Sequence, residues 1–88
     1  MKFTVIWKPT ADEQLTEIWL TAEDRTAVTV AADELMAGLR ETPLTLGESR
    51  DSLRRVAIRS PLAIHFEVQE ADRLVFVLRV HRVTTRQI

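Results

Sequence analysis

The sequence predicts an α+β domain in the order β-α-α-β-β-β, a helical hairpin packed on one face of a mostly antiparallel four-stranded sheet. Three observations predict it. Apolar residues recur at helical spacing between residues 10 and 41. The segments on either side alternate apolar and polar residues with the period of a strand. The later strands are separated by very short turns, which join antiparallel neighbours. The 88 residues suit one domain, residues 1–88, and a chain this short buries only about 60–65% of its unfolded surface.

Residues 2–8, Lys-Phe-Thr-Val-Ile-Trp-Lys, are β-branched and aromatic and form the first expected strand, which Pro9 stops. Thr10 with Glu13 is a capping-box signature for a helix start. Ala11, Leu15, Ile18, Trp19 and Ala22 then mark one helix face, with Trp7 and Trp19 expected as core anchors. Glu23-Asp24 breaks that face, and Asp24 is placed to cap a second helix. Val28, Ala32, Leu35 and Leu39 continue the pattern to about Arg40, with Pro43 beyond its end. Residues 42–52 read as a loop. Strands follow at about 53–59, 62–69 and 73–83, with turns at Ser60-Pro61 and Glu70-Ala71-Asp72.

Composition narrows the function classes. No apolar run approaches the roughly 18 residues of a membrane span. Met1 leads directly into a strand, so no signal peptide is expected. The absence of cysteine excludes a disulfide framework and thiolate chemistry. Together these fit the cytoplasm. The net charge of −1 conceals an asymmetry. Residues 1–48 carry four basic residues against nine acids, whereas residues 49–88 carry eight Arg, no Lys and four acids. Arg binds phosphate or carboxylate through a planar fork, so the second half suits a polyanion; solubilising exposed strand faces is the plainer use.

Strand alternation sorts the candidate chemistry. Leu62, Ile64, Phe66 and Val68 are expected to meet the helices, as are Leu74, Phe76, Leu78 and Val80, and Val56 and Ile58. The opposite face then gathers Arg55, Arg59, His65, Glu67, Arg79 and His81, with Val75 and Val77. Arginine can stabilise charge developing on phosphorus, and histidine can move protons near neutral pH. Metal-free RNA cleavage needs little more, since the adjacent 2′-hydroxyl is the nucleophile. Two histidines are too few for a protein-only zinc site without carboxylate help, and there is no Gly-rich phosphate loop. No metal or cofactor is expected.

Three stretches resemble the RelE/ParE toxins in order and spacing: Val5-Ile6-Trp7-Lys8-Pro9-Thr10-Ala11 running on to Leu15-Thr16-Glu17-Ile18-Trp19, then Pro43-Leu44-Thr45-Leu46-Gly47-Glu48-Ser49-Arg50, then the paired segments 62–68 and 74–82. The resemblance implies the toxin of a type II toxin–antitoxin system, neutralised by an antitoxin from the neighbouring gene. RelE-like members cleave mRNA on the ribosome; ParE-like members inhibit DNA gyrase without being nucleases. Leu78-Arg79-Val80-His81-Arg82 looks like the region that supplies a catalytic Arg and His in the nucleases. By that likeness Arg79 and His81, with His65, are the expected catalytic residues, and Arg55, Arg59 and Arg82 the expected RNA-binding residues. The favoured activity is a ribosome-dependent mRNA interferase. The alternatives are a gyrase inhibitor and an inactive member that mainly binds its antitoxin. The chain departs from the nuclease pattern in having no tyrosine, in offering Arg where active-site lysines are usual, and in ending at Ile88, where no C-terminal helix is expected.

Overall fold

The computed structural model describes residues 2–51 and 53–83; Met1, Ser52 and residues 84–88, including the C-terminal end expected to add no helix, lie outside them. The elements are β1 (Thr4–Trp7), α1 (Pro9–Thr21), α2 (Arg25–Glu41), β2 (Glu48–Ser49), β3 (Arg54–Arg59), β4 (Leu62–Gln69), a 3₁₀ turn (Glu70–Asp72) and β5 (Leu74–Arg82). They form one five-stranded sheet in the order β1-β5-β4-β3-β2, with both helices against it. The α+β class is as expected, but the described residues form five strands, not four. The extra strand, β2, lies in the segment read as loop. Antiparallel pairs run from β2 to β5, while β1 pairs parallel to β5. The helical hairpin supplies the long crossover that a parallel pair requires.

Pro9 does not merely stop β1. It occupies the first helical position, where its fixed φ suits the helix and its missing N–H costs nothing. Thr10 therefore lies inside α1, and no side-chain cap forms. Ala11 is buried, and Leu15, Ile18 and Ala22 pack beside the core at the same helical spacing. In α2 the buried stripe is Val28, Ala31, Leu35 and Leu39. Asp24 precedes α2 but makes no cap bond; its carboxylate accepts instead from Arg82. Trp19 is not a core anchor. It is 41% exposed, lies under the Arg25 guanidinium and donates from Nε1 to Thr29. Trp7 packs against the core and donates to the Met36 sulfur.

The helix-facing side of the sheet carries Val5 and Trp7 from β1, Val75, Val77 and Val80 from β5, Leu62, Ile64, Phe66 and Val68 from β4, and Ala57 from β3. The reading of β4 is borne out. That of β5 holds only for its second half. Phe66 pairs with Val77, but His65 pairs with Arg79, leaving Leu78 as an extra residue. This β-bulge shifts the alternation by one. Before it, Val75 and Val77 face the helices and Leu74 and Phe76 face away, the reverse of the expectation; after it, Val80 faces the helices as expected. The register of β3 is also inverted. Ala57, opposite Ile64, enters the core, while Val56 and Ile58 share the outer face with His65 and Ala63.

β1 ends at Trp7, so the outer edge of β5 has no strand beside it beyond Val77. There the Val80 N–H donates to the Gln14 side chain of α1 at 2.8 Å, filling the gap left in the ladder. At the other margin Gly47 turns the chain into β2 with φ 67°. A Cβ at this position would collide with the Val56 carbonyl, so glycine is required both for the backbone angle and for the close approach of β2 to β3.

Candidate active site on the outer sheet face

The helices cover one side of the sheet and leave the other open. His65 of β4 and His81 of β5 both point to the open side, and their Nε2 atoms lie 3.3 Å apart. The ring centroids are 5.3 Å apart, with the planes tilted by 34°. At that separation one Nε2 carries the proton and donates while the other accepts. Arg79 sits opposite His65 in the ladder and, because of the bulge, on the same face. Burial holds the His65 imidazole below its ordinary value of 6.5, and the positive charge of His81, Arg79 and Arg50 adds to the effect. His65 is therefore neutral at pH 7 and has a lone pair to offer.

This depression has a consequence for stability. Below about pH 6.5 the unfolded chain takes up a proton that folded His65 resists, so stability should decline as pH falls from neutrality through that value and level off below the folded pKa. Asp24 and Asp51 are also held low, by the Arg82 hydrogen bond and by the Leu53 and Arg54 amides respectively. They act only below the ordinary carboxylate value of 3.8, outside this window. Urea midpoints at about pH 7.5 and about pH 5.5 should differ more for the parent chain than for His65→Gln. Equal differences in both would show that His65 does not titrate as its surroundings dictate.

The other expected site residues are elsewhere. Arg55 shares the helix-facing row with Phe66. It is half-buried at the sheet margin, donating from Nε to the Leu46 carbonyl and from a terminal nitrogen to Gly47, each at 3.0 Å. It thus ties down the loop that leads into β2. Arg59 ends β3 in the same row, opposite Leu62. Arg82, opposite Leu62 on the helix side, reaches Asp24 with oxygen distances of 2.8 and 2.7 Å. The expected placement of Arg55 and Arg59 on the outer face is therefore overturned, because the whole of β3 is turned by one residue. Glu67 does lie on the outer face, where it accepts from the Gln69 amide at 3.0 Å.

Residues absent from the sequence reading take their place. Arg54, opposite Glu67, faces outward. Arg50 comes near enough to His65 to influence its charge. Lys8 stands 4.9 Å over the ring of Phe76, the outer-face residue beside Glu67. The cationic surface is thus Lys8, Arg50, Arg54 and Arg79 around two imidazoles. Arg50 was hidden in an apparent loop, and Lys8 follows a strand too short to show its alternation. Among the described residues, no group of three or more His, Cys, Asp or Glu could hold a metal ion, and no helix is long and apolar enough to cross a membrane.

No protein-family model matches the chain, and no curated protein matches it in sequence. Solved structures do resemble it. One is the toxin–antitoxin complex RelBE2 from Mycobacterium tuberculosis, with TM-score 0.75 and 19% identity over 93% of this chain and 92% of that one. A second is the chromosomal ParDE toxin–antitoxin system from P. aeruginosa, with TM-score 0.67 and 18% identity over 93% and 97%. A third is the conserved hypothetical protein HP0892 from Helicobacter pylori, with TM-score 0.57 and 14% identity over 91% and 93%. Identities this low speak to architecture, and the architecture is clear: two helices on a five-stranded mixed sheet give this chain the RelE/ParE-like toxin fold.

Proposed function

We propose that the chain is the toxin of a type II toxin–antitoxin pair and that the open face of its sheet cleaves mRNA on the ribosome. The observation that carries the nuclease reading is the His65–His81 contact of 3.3 Å beside Arg79. A phosphate entering this face would replace the contact between the rings and lie between two imidazoles and a guanidinium. Neutral His65 would accept the proton of the attacking 2′-hydroxyl, and His81 would return one to the leaving 5′-oxygen. Arg79 would stabilise the charge gathered on the phosphoryl oxygens. Lys8, Arg50 and Arg54 would hold the flanking backbone. No metal or cofactor enters this scheme.

The same cationic face explains how the toxin would be restrained in the cytoplasm. An acidic antitoxin segment encoded beside it would fold against these cations and shield the imidazoles. The test is induction of the chain with and without the neighbouring reading frame, followed by primer extension on cellular mRNA and a gyrase supercoiling assay. Growth arrest with cuts inside translated codons, relieved by the neighbour's product, is the expected result. Intact mRNA with inhibited supercoiling would replace the nuclease reading by gyrase inhibition. Normal growth and no affinity for the neighbour's product would overturn the toxin assignment.

A further inference from the structure

The outer face continues beyond the imidazoles to a hollow of about 230 Å³ at the β2–β3 margin, lined by Gly47, Glu48, Arg50, Val56 and Ile58. Ile58 is 56% exposed there, a large apolar side chain turned to solvent beside charged neighbours. Glu48 and Arg50 make no side-chain hydrogen bond or ion pair among the described residues. The requirement for glycine at position 47 keeps β2 close to β3 and the hollow shallow. Glu48 pairs with Val56, Val56 with His65 and His65 with Arg79, so these four residues lie in one row across four strands and on one face. Strands are spaced by about 4.8 Å, which puts Glu48 about 10 Å from His65. That is roughly the reach from a phosphate to the base-pairing edge of a neighbouring base.

We infer that this hollow is a nucleobase subsite and that Glu48 makes it selective for guanine. The inference rests on reading the face as RNA-cleaving and adds which nucleotide it takes. An ionised carboxylate only accepts hydrogen bonds. Guanine presents two adjacent donors, N1–H and the 2-amino group, which match its two oxygens. Adenine and cytosine present one amino group beside an accepting nitrogen, and uracil one N–H between two carbonyls, so each sets a lone pair against the second oxygen. Ile58, exposed over the buried Val56, offers an apolar ledge to the face of the base. Arg50 stands at the rim, placed for the adjoining phosphate.

The four ribonucleoside 5′-monophosphates, titrated separately into the isotopically labelled chain, provide the test. Guanosine monophosphate should shift the amides of Glu48, Val56 and Ile58 and bind about tenfold more tightly than the other three, the discrimination expected of one good bidentate pair. Glu48→Ala should remove that preference and leave the weaker, phosphate-driven binding common to all four. Equal affinities in the parent chain, or a guanine preference that survives Glu48→Ala, would overturn the assignment. Cut-site mapping separates this inference from the activity beneath it. Cuts beside guanosine that spread over all four nucleotides in Glu48→Ala support both. Cuts without guanine bias remove the subsite and keep the nuclease, while guanine-selective binding with no cuts removes the nuclease and keeps the subsite.

Discussion

Phe66→Ala should cost about 3–5 kcal/mol, the usual penalty for emptying a large aromatic site in a core. Phe66 is fully buried and is the largest such side chain among the described residues. It sits in the central strand β4, between Arg55 of β3 and Val77 of β5, on the helix-facing side of the sheet. Small domains have only about 5–15 kcal/mol in reserve, so this one change should take the chain close to or past unfolding. A urea titration followed by circular dichroism measures the loss. Phe76→Ala is the matched control. Phe76 is half-buried on the opposite face, and its loss should lower the midpoint far less. Equal losses in the two variants would mean that the face carrying Phe76 is covered as deeply as the core, and the site would then have no open surface.

Arg79→Ala and His81→Ala should each reduce mRNA cleavage by about 10²–10⁴-fold, the range for loss of a general acid–base group or of one transition-state charge donor. Both residues are exposed, so circular dichroism and antitoxin binding should stay close to those of the parent chain. Arg82→Ala separates the site from its surroundings. Arg82 serves the ion pair with Asp24 on the helix side, so its removal should leave the cut pattern in place. Cleavage that survives His81→Ala undiminished would exclude the imidazole pair from the chemistry, however close the rings lie.

Most of the architecture could be read before any coordinates, and its failures have physical causes. In β4 a strict alternation of Leu62, Ile64, Phe66 and Val68 against Ala63, His65 and Glu67 permits one register only. In β5 both faces are apolar before Arg79, because Leu74 and Phe76 pack on the open side as Val75 and Val77 pack in the core. Nothing local reveals which set is inside. In β3 the larger Val56 and Ile58 looked like core, yet the pairing with β4 hands that place to Ala57. Arg55 can lie on the helix side because two loop carbonyls receive its donors at the margin. His65 was placed correctly because the phase of β4 is unambiguous, and His81 because the bulge at Leu78 brings the rest of β5 back to the expected phase. Glu48, Arg50 and Lys8 escaped because two-residue β2 and four-residue β1 are too short for periodicity to speak.

The bulge at Leu78 makes β5 two strands in one, each answering to a different master. Up to Val77 the count of residues is set by the helices; from Arg79 onward it is set by what the open face must present. The two halves meet at a residue that neither count needs, so the fold carries an inherited offset much like a frameshift that has been kept. Taking Leu78 into the ladder opposite His65 would therefore exchange roles without altering a single side chain: Arg79 and His81 would turn towards the helices and Val80 would face water. The site's existence depends on that one residue staying out of the ladder as much as on any chemistry nearby. Chains of this architecture could gain or lose such a face by opening or closing one bulge, a step that comparison of side-chain identities alone would not reveal.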